Sequence, residues 1–396
     1  MEHSVLNGVI ILLTASVVGL AAFERLKLPA LLAYLLVGVT VGPHGLAWLP
    51  HTEDLHFLAE FGVVLLLFTI GLEFSVPQLW TLRKSVFGLG GAQVTATAAA
   101  GGLLAWGGGV SPAGAFVLGG ALALSSTAVV TRELSRRGEL RQPHGRLAIS
   151  VLIFQDLAVV PFLILIPVLG GDTQGGAWLA AGKALLQGGV VIALMLAVGR
   201  WLLRPLFHRI VAYGSEELFT LSALLFSLAA AWVTEYAGLS LALGAFLAGA
   251  MLAETEYRQQ LQAQIRPFRD VLLGLFFVVI GMMLDLQAVA RWLPWVALAL
   301  VILLTFKTLT TTLLGRLLGV PRRTAMHTGI LLSQGGEFGL LLATLGAAEG
   351  MLSDAILQVI LATIILSIAL TPLLTQWAGP LSRRFCLPPA APGPGR

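Results

Sequence analysis

The stretch Val151-Leu-Ile-Phe-Gln-Asp-Leu-Ala-Val-Val-Pro161 decides how this chain is read. It is apolar except for Gln155 and Asp156. A carboxylate inside such a run would sit near the centre of a bilayer, at a cost of roughly 2.5 to 3.5 kcal/mol even on the lowest insertion scales. Such a group points to the holding of a proton or a cation. The chain around it fits a membrane setting. Hydrophobic residues make up 57% of the 396, and charged residues only 11%, against about 25% in soluble domains. Apolar stretches of about 18 residues or more, each long enough to cross roughly 30 Å of hydrocarbon, recur from end to end.

About thirteen spans are expected, over 4–23, 28–43, 55–74, 86–106, 112–134, 146–169, 178–203, 216–236, 238–253, 268–285, 292–314, 324–348 and 353–377. Basic residues orient them. With the N-terminus outside, Lys183 and Arg291 fall on the outer side and Lys307 lies inside a span. Every other Lys and Arg, from Arg25 and Lys27 to Arg383, Arg384 and Arg396, falls in an inner segment. This matches the positive-inside rule and puts the C-terminus in the cytoplasm. It also accounts for the calculated pI near 9.6 as a basic rim facing anionic lipid, with no nucleic-acid partner. The first apolar stretch follows Glu2 and His3 with no basic n-region, so it reads as a retained helix. Cys386 is the single cysteine, which excludes an intrachain disulfide or a cysteine metal cluster.

Three segments recur in order. Ala33-Tyr-Leu-Leu-Val-Gly38 resembles Gly244-Ala-Phe-Leu-Ala-Gly249, Leu65-Leu-Leu-Phe-Thr-Ile-Gly71 resembles Leu275-Phe-Phe-Val-Val-Ile-Gly281, and Leu122-Ala-Leu-Ser125 resembles Ile330-Leu-Leu-Ser333. The offsets are 211, 210 and 208 residues. Matched spans are an odd number apart, so the copies run in opposite directions. Spans 1–6 and 8–13 would then form an inverted repeat with span 7 as connector, a common construction of secondary transporters. In span 5, Leu124-Ser-Ser-Thr-Ala128 places polar residues at mid-span. In its partner, span 12, Leu332-Ser-Gln-Gly-Gly-Glu-Phe338 does the same. Ser and Thr can satisfy backbone groups freed by unwinding, and glycine removes the steric barrier to it. Two broken helices at corresponding positions are the expectation, with helix packing through small residues as the competing reading.

Lys307, in Leu303-Leu-Thr-Phe-Lys-Thr-Leu309, is the other deep charge. A structural ion pair between Asp156 and Lys307 is one reading; a lysine neutralising the ends of half-helices, beside a functional carboxylate, is the other. Glu337 would anchor unwound backbone or join a cation path. Glu73, in Gly71-Leu-Glu-Phe-Ser75, reads as a charge at the inner end of span 3. No metal-ligand spacing, nucleophile elbow or phosphate loop is evident, so neither an enzyme nor a cofactor is expected.

Phe154-Gln-Asp-Leu-Ala-Val-Val-Pro161, Ser125-Ser-Thr-Ala128, Ser333-Gln-Gly-Gly-Glu-Phe338 and Lys307 together resemble the membrane domain of the monovalent cation:proton antiporter-2 family, nearest to Kef-type potassium efflux antiporters. The resemblance covers about residues 5–380. It implies the sodium/proton antiporter fold, an all-α polytopic membrane protein with two crossed broken helices, a dimerisation domain and a mobile core. It implies a homodimer in a bacterial-type inner membrane that exchanges K+ or Na+ for H+. Asp156 would be the proton- and cation-binding carboxylate, with Gln155 beside it. Ser125, Ser126 and Thr127 would form one crossover segment and Ser333, Gln334, Gly335, Gly336 and Glu337 the other, with Lys307 as the core lysine. Electrogenic sodium/proton relatives carry an Asp-Asp pair where this chain has Gln155-Asp156, which leaves the partner of Lys307 open. Kef-type systems also carry a nucleotide-binding regulatory domain after the membrane region. Here residues 381–396 form a short Pro/Gly-rich tail, so ligand gating is not carried over. A cation channel would differ by uncoupled conductance, and a bile-acid-type symporter by an organic-substrate cavity without the Gln-Asp pair.

Overall fold

A computed structural model describes residues 2–26, 28–48, 53–73, 82–170 and 177–384. Lys27, Cys386 and the Pro/Gly-rich tail beyond 384 lie outside them. The described elements are helical. They are α1 (Glu2–Arg25), α2 (Ala30–Val41), α3 (Glu53–Glu73), α4 (Gly91–Gly107, preceded by a π-helical turn at Lys84–Gly90), α5 (Pro112–Ala123), α6 (Thr127–Arg136) and α7 (Pro143–Gly170). Next come α8 (Ala177–Val198), a π-helical turn at Gly199–Leu203, α9 (Arg204–Ala212), α10 (Glu216–Tyr236), α11 (Leu241–Ala253) and α12 (Arg258–Met283). The rest are α13 (Leu286–Arg291), α14 (Leu293–Leu317), α15 (Arg322–Leu331), α16 (Glu337–Ala348), α17 (Asp354–Ala369) and α18 (Thr371–Arg384).

Among the described residues, four stretches are long and apolar enough to cross a membrane: Pro112–Arg136 taken across its interruption, Pro143–Gly170, Glu216–Tyr236 and Leu293–Leu317. The α17–α18 pair is a fifth, bent by 58°. This is fewer than the thirteen spans expected from apolar content. The reason is partly length: α2 has 12 residues and α11 has 13, against the roughly 20 that a straight helix needs to span hydrocarbon. The bend before α18 has a local cause. Pro372 supplies no N–H for the helical ladder, and its ring crowds the preceding turn. The short helices α9 and α13 were not foreseen from apolar periodicity.

Two compact units interleave along the chain. The first comprises Met1–Thr81, Val159–Arg291 and Leu345–Asp354; the second comprises Leu82–Ala158, Trp292–Thr344 and Ala355–Arg396. Within the first unit, α3 packs on α11 and α12, α12 on α2, α10 on α11 and α1 on α2. Glycines set the closest approaches. A Cβ on Gly38 would overlap the backbone of Val278 and meet Gly281 of α12, and one on Gly281 would overlap Leu35 and meet Gly38. Across α3 and α11, a Cβ on Gly71 would overlap the Phe246 carbonyl and meet Gly249, and one on Gly249 would overlap the Phe68 carbonyl. Small residues allow such backbone contact where lipid gives no hydrophobic drive for association.

Within the second unit, α4 packs on α5, and α14 on α15 and α4, while α15 and α6 lie against α18. Its apolar centre joins Val130 and Leu134 of α6, Ala148, Val151 and Leu152 of α7, Ile330 and Leu331 of α15, and Ala378 of α18. Ser111 caps α5 by accepting from the Gly114 N–H at 3.1 Å, with Pro112 filling the first turn where no N–H is needed.

Candidate ion-binding site at two helix interruptions

Helix α5 stops at Ala123 because Leu124 adopts an extended conformation (φ −86°, ψ 140°). Helix α6 restarts at Thr127, with Ser126 as its N-cap; the Ser126 hydroxyl accepts from the Val129 N–H at 3.2 Å. The Ser126 hydroxyl thus begins the second helix, while the Ser125 hydroxyl reaches across to the other interruption. Helix α15 ends at Leu331, and α16 begins at Glu337. The Gly335 N–H in this second interruption is satisfied by the Ser367 hydroxyl of α17 at 2.9 Å. Gly336 lies against the first interruption: a Cβ there would fall 2.5 Å from the Ser125 carbonyl carbon and 2.6 Å from the Ser126 nitrogen. No side chain fits at that approach.

Side chains stitch the two interruptions together. The Ser126 N–H donates to Gln334 Oε1 at 3.0 Å, and the Ser125 hydroxyl donates to the Leu332 carbonyl at 2.8 Å. The Ser125 N–H donates to Gln155 Oε1 at 2.8 Å, and Gln155 Nε2 donates to Gln93 Oε1 at 2.8 Å. Gln93 in turn donates to Thr97 Oγ1 at 3.2 Å and to the Ala123 carbonyl at 3.3 Å. Gln155 and Gln93 are fully buried. Gln93 was not singled out from the sequence, although a lone amide in an apolar span is the same kind of signal that marks Gln155.

Lys307 of α14 is fully buried. Its ammonium donates to the Leu124 carbonyl (3.2 Å), the Ser125 hydroxyl (2.9 Å) and the Gln334 carbonyl (2.8 Å). An ammonium has three N–H bonds, and these oxygens use all three. Two are backbone carbonyls just past the C-terminal ends of α5 and α15, where a helix presents partial negative charge. The reading of Lys307 as a group facing half-helix ends fits this geometry.

The carboxylates gather at the opposite pole, the N-terminus of α6. Asp156, partly buried on α7, accepts from the Thr127 hydroxyl at 2.9 Å. Thr127 is the first residue of α6, where unsatisfied N–H groups and the helix dipole favour an anion. Glu337, 7% exposed, interacts with the Ser126 hydroxyl and the Ala128 N–H, while its Oε2 has no hydrogen-bond partner among the described residues. The amide nitrogen of Gln334 is likewise buried without one. Ser333 bonds back to the Ile330 carbonyl at 2.8 Å, closing the last turn of α15.

The structure therefore brings together Ser125, Ser126, Thr127, Gln155, Asp156, Lys307, Gln334, Gly336 and Glu337, all within the second unit. Glu73 is not among them. It ends α3 in the first unit, where its backbone carbonyl accepts from Arg258 Nη2 at 3.0 Å.

Comparison with known proteins places this arrangement. Residues 12–378 match the sodium/hydrogen exchanger, transmembrane family. The putative K+ efflux antiporter KefB of Alkalimonas amylolytica is 46% identical over 362 residues, covering 91% of this chain and 55% of that protein. The chloroplastic K+ efflux antiporter 1 of Arabidopsis thaliana is 41% identical over 395 residues, covering 97% of this chain and 33% of that protein. The chain thus spans between a third and about half the length of these curated relatives. The sodium proton antiporter MjNhaP1 of Methanocaldococcus jannaschii shares the fold, with a TM-score of 0.71 over 97% of this chain and all of that one, at 18% identity. An apolar helical chain built round two interrupted helices, matched along nearly its whole length, belongs to the sodium/hydrogen exchanger family.

Proposed function

We propose that the chain is a secondary antiporter that exchanges a monovalent cation, K+ in preference to Na+, for H+ by alternating access, with Asp156 as the shared site. The observation that carries this reading is Asp156 at the N-terminus of a half-helix, its Oδ1 accepting from the Thr127 hydroxyl at 2.9 Å, with the Glu337 carboxylate at the same helix end. A carboxylate with neutral oxygen neighbours is a suitable site for a partly dehydrated monovalent cation, and the same oxygens can take a proton instead. The names of the K+ efflux relatives favour potassium. So does chemistry: the residue before Asp156 is a neutral amide, and a less charged site disfavours the more strongly hydrated ion.

In this reading the two interruptions form a crossed pair. Lys307 balances the C-terminal ends, the N-terminus of α6 receives the acids, and Gln155 serves as a staple on Ser125. Proton and cation compete for Asp156. Loaded, the carboxylate is neutral and can move across the membrane with the core; bare, it is held back by the desolvation of its charge. With Asp156 alone exchanging its load, and Glu337 anchoring the unwound backbone, the simplest stoichiometry is 1:1 electroneutral exchange. The reciprocal Gly38–Gly281 and Gly71–Gly249 contacts support the inverted repeat, because the proposed alignment maps one pair onto the other. Residues 1–380 then form one exchanger domain with its N-terminus outside and C-terminus cytoplasmic. The core moves in elevator fashion against a homodimeric scaffold in a bacterial-type inner membrane.

The test is proton movement in proteoliposomes on addition of K+, Na+ or Li+. Wild type should respond to K+ at lower concentration than to Na+, without dependence on membrane voltage. Asp156→Asn should abolish the response while keeping the elution profile of the folded protein. Cation-driven proton flux retained in Asp156→Asn would refute the assignment, and a response to Na+ at lower concentration than to K+ would make the protein a Na+/H+ antiporter of the same fold.

A further inference from the structure

Three metal-ligating side chains that the ion site does not use meet in the second unit. Gly138, in the left-handed region at φ 66°, ends α6, and the Glu139 N–H closes back on the Leu134 carbonyl at 2.8 Å. This turn directs Glu139 at His144, which stands in the first turn of α7: His144 Nε2 and Glu139 Oε2 are 3.1 Å apart. His327, from the middle of α15, stacks on His144 with ring centroids 3.8 Å apart and planes 7° from parallel. The Thr328 hydroxyl donates to the His144 carbonyl at 3.3 Å, which ties the two elements together at this point. One ligand atom from each of Glu139, His144 and His327 falls within 4.8 Å of the others.

We propose that Glu139, His144 and His327 bind one divalent transition-metal ion of the zinc class. His327 is only 9% exposed, and its Nε2 is buried with no hydrogen-bond partner among the described residues. A buried imidazole nitrogen beside a carboxylate and a second imidazole is a donor set suited to a metal ion. Two nitrogens and one carboxylate oxygen suit Zn2+ and its neighbours, and do not suit Mg2+ or Ca2+, which take oxygen donors. Three protein ligands leave a fourth, tetrahedral position for water. Bonds of about 2.0 to 2.2 Å in a tetrahedron hold donors about 3.3 to 3.6 Å apart; Glu139 and His144 already stand at 3.1 Å, and splaying the stacked rings about their nitrogen ends would let both imidazoles point at one ion. Sequence spacing gave no sign of the site, because His327 arrives from a helix far along the chain. The ion would join the turn after α6, the start of the helix bearing Gln155 and Asp156, and the helix that runs into the second interruption. The site itself does not depend on the exchange reading.

The test uses the purified full chain, stripped with chelator and titrated with Zn2+, and with Co2+ as a spectroscopic probe. Wild type should take up one equivalent with high affinity and show the intense visible absorption of four-coordinate Co2+, unaffected by excess Mg2+. Glu139→Gln, His144→Asn and His327→Asn should each weaken this binding by more than about tenfold. Glu139→Gln retains an acceptor for His144, so its metal-free melting temperature should stay at the wild-type value, which separates loss of a ligand from loss of the fold. The sequence has seven histidines, and binding at the others would survive these changes. Unchanged affinity and stoichiometry in Glu139→Gln and His327→Asn, or a weakly absorbing six-coordinate Co2+ spectrum, would overturn the proposal.

Discussion

Replacing Gln155 by leucine keeps most of the side-chain volume but removes both of its hydrogen bonds. The Ser125 N–H loses its acceptor at 2.8 Å, and Gln93 Oε1 loses its donor at 2.8 Å. Both groups belong to residues that are no more than 1% exposed, so water cannot easily replace the lost partner. A buried polar group left unsatisfied costs about 1 to 3 kcal/mol, so the pair amounts to about 2 to 6 kcal/mol. At roughly 2 °C per kcal/mol for a chain of this size, the melting temperature in detergent should fall by about 4 to 12 °C. The double variant Gln93→Leu/Gln155→Leu removes the orphaned Gln93 oxygen. Its loss should therefore be smaller than the sum of the two single losses by about 0.5 to 3 kcal/mol. Gln155→Glu should fall between wild type and leucine. It keeps an acceptor for Ser125, and the Gln93 amide can rotate to donate to it. The assay is a thermal melt of wild type, Gln93→Leu, Gln155→Leu, the double variant and Gln155→Glu in one detergent, run alongside proton flux in proteoliposomes. Additive losses, or a leucine variant that melts and transports like wild type, would refute the view that Gln155 holds the first interruption in place.

Two further outcomes follow from the geometry. Thr127→Val removes the hydroxyl that donates to Asp156 at 2.9 Å; the concentration of K+ giving half-maximal exchange should shift by about tenfold, equivalent to 1.4 kcal/mol, with melting behaviour nearly unchanged. Gly38→Ala and Gly249→Ala each place a Cβ into opposing backbone, at Val278 and Phe68 respectively. Each should destabilise by about 1 to 3 kcal/mol, and similar losses at the two positions, measured by thermal melts, would fit their equivalence in the repeat.

The candidate site was legible in the sequence wherever a polar residue interrupts an apolar run. Asp156, Lys307 and the Ser125–Thr127 and Ser333–Glu337 segments each stand out because hydrocarbon makes such residues expensive, and the fold gathers residues from all of these into one unit. What Lys307 touches could not be read in the same way. Two of its three acceptors are backbone carbonyls, which every residue carries, so no side-chain identity announces them. Gln93 went unnoticed because its role depends on which helix faces it. The division into two interleaved units was equally hidden: its boundaries fall inside apolar sequence, including the middle of α7, with no change in composition to mark them. The reciprocal glycine contacts were half visible. The first two repeated motifs end on glycine, but only packing shows that the glycine of one motif rests on the other copy's partner.

The buried ammonium of Lys307 has one more consequence. Ringed by oxygens at 2.8 to 3.2 Å, it is chemically a monovalent cation in an oxygen cage, but one bonded to the chain by a four-carbon leash. A cage made by unwinding two helices would otherwise be an attractive resting place for any dissolved alkali ion. Here that place is filled permanently by an occupant that cannot diffuse away. On the proposed exchange reading, a transported ion is left with the carboxylate side of the interruptions, and Lys307 acts as a built-in plug against a second route through the same gap.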